Sequence, residues 1–178
     1  MKLRRLAVFI SGRGSNLVHA LDVDADVRLV VTSKGRAAGV AKALRRGVPV
    51  IAFDGNWIGL IDALTAHRVE NVFLLGFMKL LPKAFLEAFE RQIGGRVVNL
   101  HPSLLPSYPG LRAIERAFDD QAELGVTIHE VIEQMDAGAP LFQRSVGREL
   151  QRYCDLHAAT FWVSNSEAHS VRKVAGQT

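Results

Sequence analysis

Short apolar segments alternate with amphipathic helical patterns along the first half of the chain, and a glycine-rich turn follows the first of them. The chain has 178 residues, 48% of them hydrophobic and 22% charged, which is enough for one globular domain with a sizeable core. Together these features predict an α/β fold. It should be a Rossmann-like three-layer domain with a mostly parallel central sheet, because parallel strands need right-handed crossovers that put helices on both faces. Ligands of such a sheet bind at the carboxyl ends of its strands.

The elements follow in order. Leu6 to Ile10 is a continuous apolar strand that stops at Ser11-Gly12-Arg13-Gly14, and Asn16 to Leu21 begins a short helix. Val27 to Thr32 is a second strand, and Ala37 to Arg46 a helix ended by Gly47. Val48 to Phe53 is a third strand, followed by a helix over Ile58 to His67. Asn71 to Leu75 is the fourth strand. Pro82 then opens a helix to Arg91, with Ala84, Phe85, Ala88 and Phe89 at helical spacing and Gly94-Gly95 closing it. Arg96 to Leu100 is the fifth strand. A Pro-rich loop from His101 to Gly110 changes the pattern, leading to a helix from Leu111 to Phe118 and strands over Gly125 to Ile132 and Pro140 to Val146. No linker separates the halves, which meet at about residue 100, so the reading is one domain over 1–178.

Several function classes are excluded. With Cys154 as the single cysteine there is no internal disulfide and no cysteine-built zinc site, and a cytoplasmic protein is expected. Leu6 to Ile10 is too short for an export signal, and Val72 to Met78 is far below the ~20 residues that span a bilayer. A net charge of +4 with no basic run interleaved with aromatics favours a phosphorylated small molecule over nucleic acid or a membrane.

Two segments carry chemistry. Ser11-Gly12-Arg13-Gly14-Ser15-Asn16 lies between the first strand and first helix, where bare amides and the positive helix end attract a phosphate. The loop matches neither G-x-x-x-x-G-K-[ST] nor a full G-x-G-x-x-G, so a simple chain-turning role is the alternative. The second segment, Asn99-Leu100-His101-Pro102-Ser103-Leu104-Leu105-Pro106, sets a polar pair where an apolar strand runs into a rigid loop. Two apart in extended chain, Asn99 and His101 share a face and can converge on one carbonyl oxygen, as an oxyanion site requires. A histidine that is merely structural is the alternative there.

NLHPSLLPSYPG, with SGRGSN before it, LLGFMKLL between and GVTIHEVIEQMDAGAPLFQ after, closely resembles the phosphoribosylglycinamide formyltransferase family, folate-dependent enzymes of purine synthesis. The match runs from Leu6 to Val146 and implies a nucleotide-binding half to about residue 100 and a catalytic and folate-binding half beyond it. The resemblance implies a formyltransferase fold, 10-formyltetrahydrofolate as formyl donor, 5-phosphoribosylglycinamide as acceptor, and a monomer or homodimer. It implies that Gly14, Ser15 and Asn16 hold the substrate phosphate and that Met78, Lys79, Leu80 and Leu81, with Asn99, line the folate pocket. Without the resemblance, Leu80 and Leu81 read as ordinary core, and Asp136 as a turn residue. Asn99, His101 and Asp136 are the implied catalytic trio, and His129 supports Asp136. In that chemistry an amine attacks the formyl carbon. Asn99 and a protonated His101 stabilise the oxyanion, and Asp136, by raising the His101 pKa and relaying a proton through water, serves both ends. No metal is implied. His19, His67, His157 and His169 read as surface or helix residues.

Three departures from the family stand out. Phe53-Asp54-Gly55-Asn56-Trp57 lacks an arginine common after the third strand, and Lys79 replaces another, losing the bidentate fork. From Gly147 the tail is atypical, without a clear match to the Glu-His pair that helps hold the glycinamide; Glu167-Ala168-His169 is at most a displaced remnant, while Phe161, Trp162 and Val163 suggest packing on the core. A formyltransferase with another acceptor, such as a sugar nucleotide, and a catalytically impaired nucleotide- or folate-binding relative are the alternatives. A form acting on tRNA needs a second domain, for which 178 residues leave no room.

Overall fold

The structure, a computed structural model, describes residues 4–146. The atypical tail from Gly147, with Cys154, His157, Phe161, Trp162 and Glu167 to His169, lies outside the described residues.

Among the described residues, seven strands form one sheet and five helices join them; the strands are β1 (Leu6–Ile10), β2 (Val27–Thr32), β3 (Val50–Ala52), β4 (Asn71–Leu74), β5 (Val97–His101), β6 (Leu124–Glu130) and β7 (Pro140–Val146), in spatial order β3-β2-β1-β4-β5-β6-β7. The first five are mutually parallel, and β6 and β7 add antiparallel. The helices are α1 (Ser15–Asp22), α2 (Ala38–Arg45), α3 (Trp57–Ala66), α4 (Lys83–Gln92) and α5 (Ala113–Asp119).

Alternation along the strands sorts the core into two layers. Leu6, Val8 and Ile10 of β1 join Leu17 and Ala43 of α1 and α2 on one face. Ala7 and Phe9 join Leu60, Ile61, Leu64, Phe85 and Phe89 of α3 and α4 on the other. Both faces of the sheet are covered by helices, which is why its inner strands read as unbroken apolar runs.

The chain winds outward from β1 to β3, then returns to place β4 on the other side of β1. That reversal sets the topological switch point between the carboxyl ends of β1 and β4, where sheets of this kind form the crevice that takes their ligands.

Element ends differ from the sequence expectation where tertiary contacts decide them. β3 is shorter than Val48 to Phe53, because Gly47, at φ +71°, and the bond from Val48 N–H to the Ala43 carbonyl belong to the end of α2. β5 continues one residue further, through His101, which pairs with Thr127 of antiparallel β6. α5 starts at Ala113 rather than Leu111, since Arg112 takes a left-handed conformation as its N-cap. Pro82 caps α4 from outside rather than opening its first turn.

Candidate active site

Asn99 and His101 do share a face of β5, and the antiparallel neighbour completes it. Asn99 pairs with His129 and His101 with Thr127, so all four side chains stand on the same side of the sheet. Asp136, in the loop after β6, comes down onto both imidazoles. Its Oδ2 lies 3.3 Å from His101 Nδ1 and its Oδ1 3.5 Å from His129 Nε2. The Asn99 amide nitrogen is 3.1 Å from His129 Nε2. His129 Nδ1 is 2.8 Å from the Glu130 carbonyl, which only accepts, so that nitrogen carries the hydrogen and Nε2 accepts from Asn99. One of the two Asn99 N–H bonds is thereby used, leaving the other for a ligand.

Asp136 sits at φ +53° and takes a further bond from the Gly110 N–H at 2.7 Å. Burial raises its pKa, but the His129 and His101 imidazoles, which bind the carboxylate when they are protonated, and the Gly110 bond outweigh this and hold the carboxyl below its usual range. The expectation for His101 is corrected. Its side chain is 6% exposed. Burial pushes the imidazole below its ordinary value, against the Tyr108 carbonyl and the Asp136 carboxylate, which both favour the charged form. Asp136 therefore draws His101 toward the charged form without making up for its burial. Yet Nε2 faces the Tyr108 carbonyl at 2.9 Å and Nδ1 faces the carboxylate, two acceptors that only an imidazolium satisfies together.

A buried polar frame holds the loop after β5. Thr127 Oγ1 donates to the Ser103 carbonyl at 2.7 Å, and accepts from Leu105 N–H and Gln143 Nε2, each at 3.0 Å. Ser103 Oγ donates to the Ser107 carbonyl at 2.6 Å, and Gln143 also donates to the Leu105 carbonyl.

At the carboxyl end of β1, Gly14 is the left-handed N-cap of α1 with no side-chain cap, so the first-turn amides have no partner from within the helix. A β-carbon on Gly14 would lie 2.7 Å from Gly39 Cα of α2, so glycine is required twice over, by φ of +65° and by this close approach. Asn16 Oδ1 is buried without a partner. Such an acceptor suits a ligand hydroxyl or amine, whereas a phosphate calls on the N–H groups. Across the crevice, Ser11 Oγ accepts from Met78 N–H at 2.8 Å and lies 2.5 Å from Ser33 Oγ.

Beyond β4, Met78 and Leu80 are 64% and 67% exposed, and Lys79 is also exposed. Core packing therefore does not explain Leu80. Leu81 points the other way and packs with Phe85 in the α3–α4 layer. Lys83 Nζ, 3.8 Å from Glu133, links this segment to the Asp136 loop, where Ile132 and Met135 are exposed. His67 caps α3, its Nδ1 on the Ala63 carbonyl, and His19 lies within α1.

A family model described as formyl transferase matches residues 4–147. The chain belongs to the formyl transferase family. Among its relatives, phosphoribosylglycinamide formyltransferase of Bacillus subtilis is 34% identical over 159 residues, covering 81% of this chain and 80% of that protein. The trifunctional purine biosynthetic protein adenosine-3 of Drosophila melanogaster is 38% identical over 160 residues, covering 80% of this chain. This formyl transferase chain spans only 12% of that longer protein. Among solved structures, phosphoribosylglycinamide formyltransferase from Anaplasma phagocytophilum superposes with a TM-score of 0.79 at 30% identity, covering 92% of this chain and 84% of its own. Glycinamide ribonucleotide transformylase 1 from Geobacillus kaustophilus gives 0.79 at 28% identity, covering 91% and 96%.

Sequence reasoning missed parts of this candidate site. Thr127 was legible in principle: in Val126-Thr127-Ile128-His129 the polar residues alternate, marking a face with polar work to do. Ser11, Tyr108, Gly110 and Gln143 act through backbone groups or single hydroxyl and amide contacts, which leave no such pattern.

Proposed function

We propose that this chain transfers a formyl group from 10-formyltetrahydrofolate to the amine of 5-phosphoribosylglycinamide, a step of purine biosynthesis. The observation that carries this is the Asn99–His129–Asp136–His101 cluster beside the β1–β4 crevice. It offers an amide donor, two imidazoles and a carboxylate within hydrogen-bond or near contact of one another, the set that acyl transfer to an amine needs.

The residues fit the ligands. Ser15, Asn16 and Leu17 amides suit the phosphate, with the buried Asn16 Oδ1 for a hydroxyl. Exposed Met78 and Leu80, facing water at an apolar cost, suit a flat ring of the folate. When bound, the folate supplies the electrophilic formyl carbon. Asn99 then directs its second N–H at the formyl oxygen. Asp136, held ionised by Gly110 and the two histidines, takes the proton that the amine must lose. Asp136 shares that proton with His101 Nδ1, 3.3 Å away, so that an imidazolium faces the negative oxygen, and then returns it through water to the folate nitrogen as the bond from that nitrogen to the formyl carbon breaks. His129 orients Asn99 and Asp136.

The test is formyl transfer by the purified chain with these two substrates. Turnover that falls by about 100-fold or more in Asp136→Asn and Asn99→Ala, with the fold retained, is expected. A parent protein that binds both ligands without transfer would overturn the reading.

A further inference from the structure

We propose that Arg116, on α5 and outside every motif of the site, is a positioning residue that orients both His101 and Asp136 by holding the backbone of Tyr108 to Gly110. The inference rests on the proposed function.

Three consecutive residues of that segment contact different groups through their backbone, and the Tyr108 carbonyl also meets Ser103 Oγ, at 3.4 Å. The Tyr108 carbonyl accepts from His101 Nε2 at 2.9 Å, and the Gly110 N–H donates to Asp136 Oδ2 at 2.7 Å. Between them, the Pro109 carbonyl accepts from Arg116 Nη2. The same guanidinium stands 5.8 Å from the centre of the Tyr108 ring, and the Tyr108 hydroxyl donates to Asp120 at the end of α5.

The segment needs such a hold. Tyr108 sits at φ +56° and Arg112 at +55°, left-handed backbone that side chains disfavour, with Gly110 at +79° between them. A tyrosine relaxing from this conformation would swing its carbonyl off His101. The base of the hold is firm, since Ala113 and Ala117 are buried beneath α5. Exposed arginines usually contribute little as surface ion pairs. Arg116 differs because its partner is a backbone carbonyl flanked on either side by contacts to the proposed catalytic groups.

The test turns on two opposed effects on His101, which is faced by the Asp136 carboxylate, the His129 ring, the Arg116 charge and the Tyr108 carbonyl. Arg116's charge depresses the His101 pKa, and the Tyr108 bond raises it more strongly. If Arg116 acts only as a charge, Arg116→Met raises the His101 pKa. If it holds the segment, Arg116→Met frees the Tyr108 carbonyl and lowers it.

The full chain, labelled with ¹⁵N at histidine, is compared as parent, Arg116→Met and Arg116→Lys. In Arg116→Met, His101 is expected to titrate lower than in the parent and to lose its preference for hydrogen on Nε2. Turnover should fall roughly 10- to 100-fold through misorientation, with both KM values within about twofold of the parent. Arg116→Lys, keeping a charged donor, should recover part of both, and it guards against a Met variant that does not fold. An unchanged His101 tautomer, a His101 pKa that rises, or turnover within about twofold of the parent would each overturn the proposal. A parent without formyl transfer would instead sink the proposed function, while the titration still decides whether Arg116 holds the segment.

Discussion

At the residue scale the site is a contest between burial and charge. Asn99→Ala should lower turnover by about 100- to 1,000-fold, as removal of one oxyanion donor does elsewhere, while folate affinity holds nearly constant. Single-turnover kinetics beside equilibrium binding checks this; equal loss of both would make Asn99 a ground-state anchor. Asp136→Asn should lower the His101 pKa further, because the carboxylate is one of the groups that raise it. A histidine titration followed by NMR in both proteins measures that shift directly. The sequence carried the pairing of Asn99 with His101, since two-residue spacing in a strand dictates a shared face. It did not carry the protonation state of His101. That depends on how deeply β5, β6 and the loop bury the ring, and burial is a sum over elements distant in sequence.

At the element scale, two local structures hold the site in place. Gly14 closes the turn from β1 to α1 against Gly39 of α2. Gly14→Ala should cost about 1–3 kcal/mol through the left-handed backbone and the close approach together. Binding of the ribonucleotide should suffer far more than binding of the folate; denaturant unfolding and separate titrations of the two ligands distinguish these effects. Thr127 is the second. Thr127→Val keeps the shape but strands the Leu105 N–H and the Ser103 carbonyl, costing about 1–3 kcal/mol per unsatisfied group, seen as a lower denaturation midpoint. The glycine turn was legible because a strand, glycines and a helix follow one another. The Thr127 frame was not, because its partners are backbone groups of a loop 22 and 24 residues away in the chain.

At the scale of the whole molecule, alternation of strand and helix predicted the layers and the parallel half of the sheet, since each βαβ unit has one favoured hand. Shared titration also links site and fold. His101, depressed in the folded chain, binds its proton more readily when unfolded, so its contribution to stability falls as pH drops below its ordinary 6.5. Asp136 is depressed too, so its contribution is present above 3.8 and lost as pH falls through its folded value. Both act in one direction: denaturant midpoints should decline on acidification in two stages, and His101→Gln should flatten the first. The Ser11 hydroxyl, which spans the crevice from the end of β1 to the Met78 amide, has a thermodynamic consequence of its own. A ligand that orders the glycine turn also orders the start of the Met78 segment, so the two ligands should bind cooperatively. Linkage requires the same factor in both directions: ribonucleotide must tighten folate exactly as much as folate tightens ribonucleotide. Calorimetric titration of each ligand with and without the other measures that factor, and in Ser11→Ala it should fall toward one.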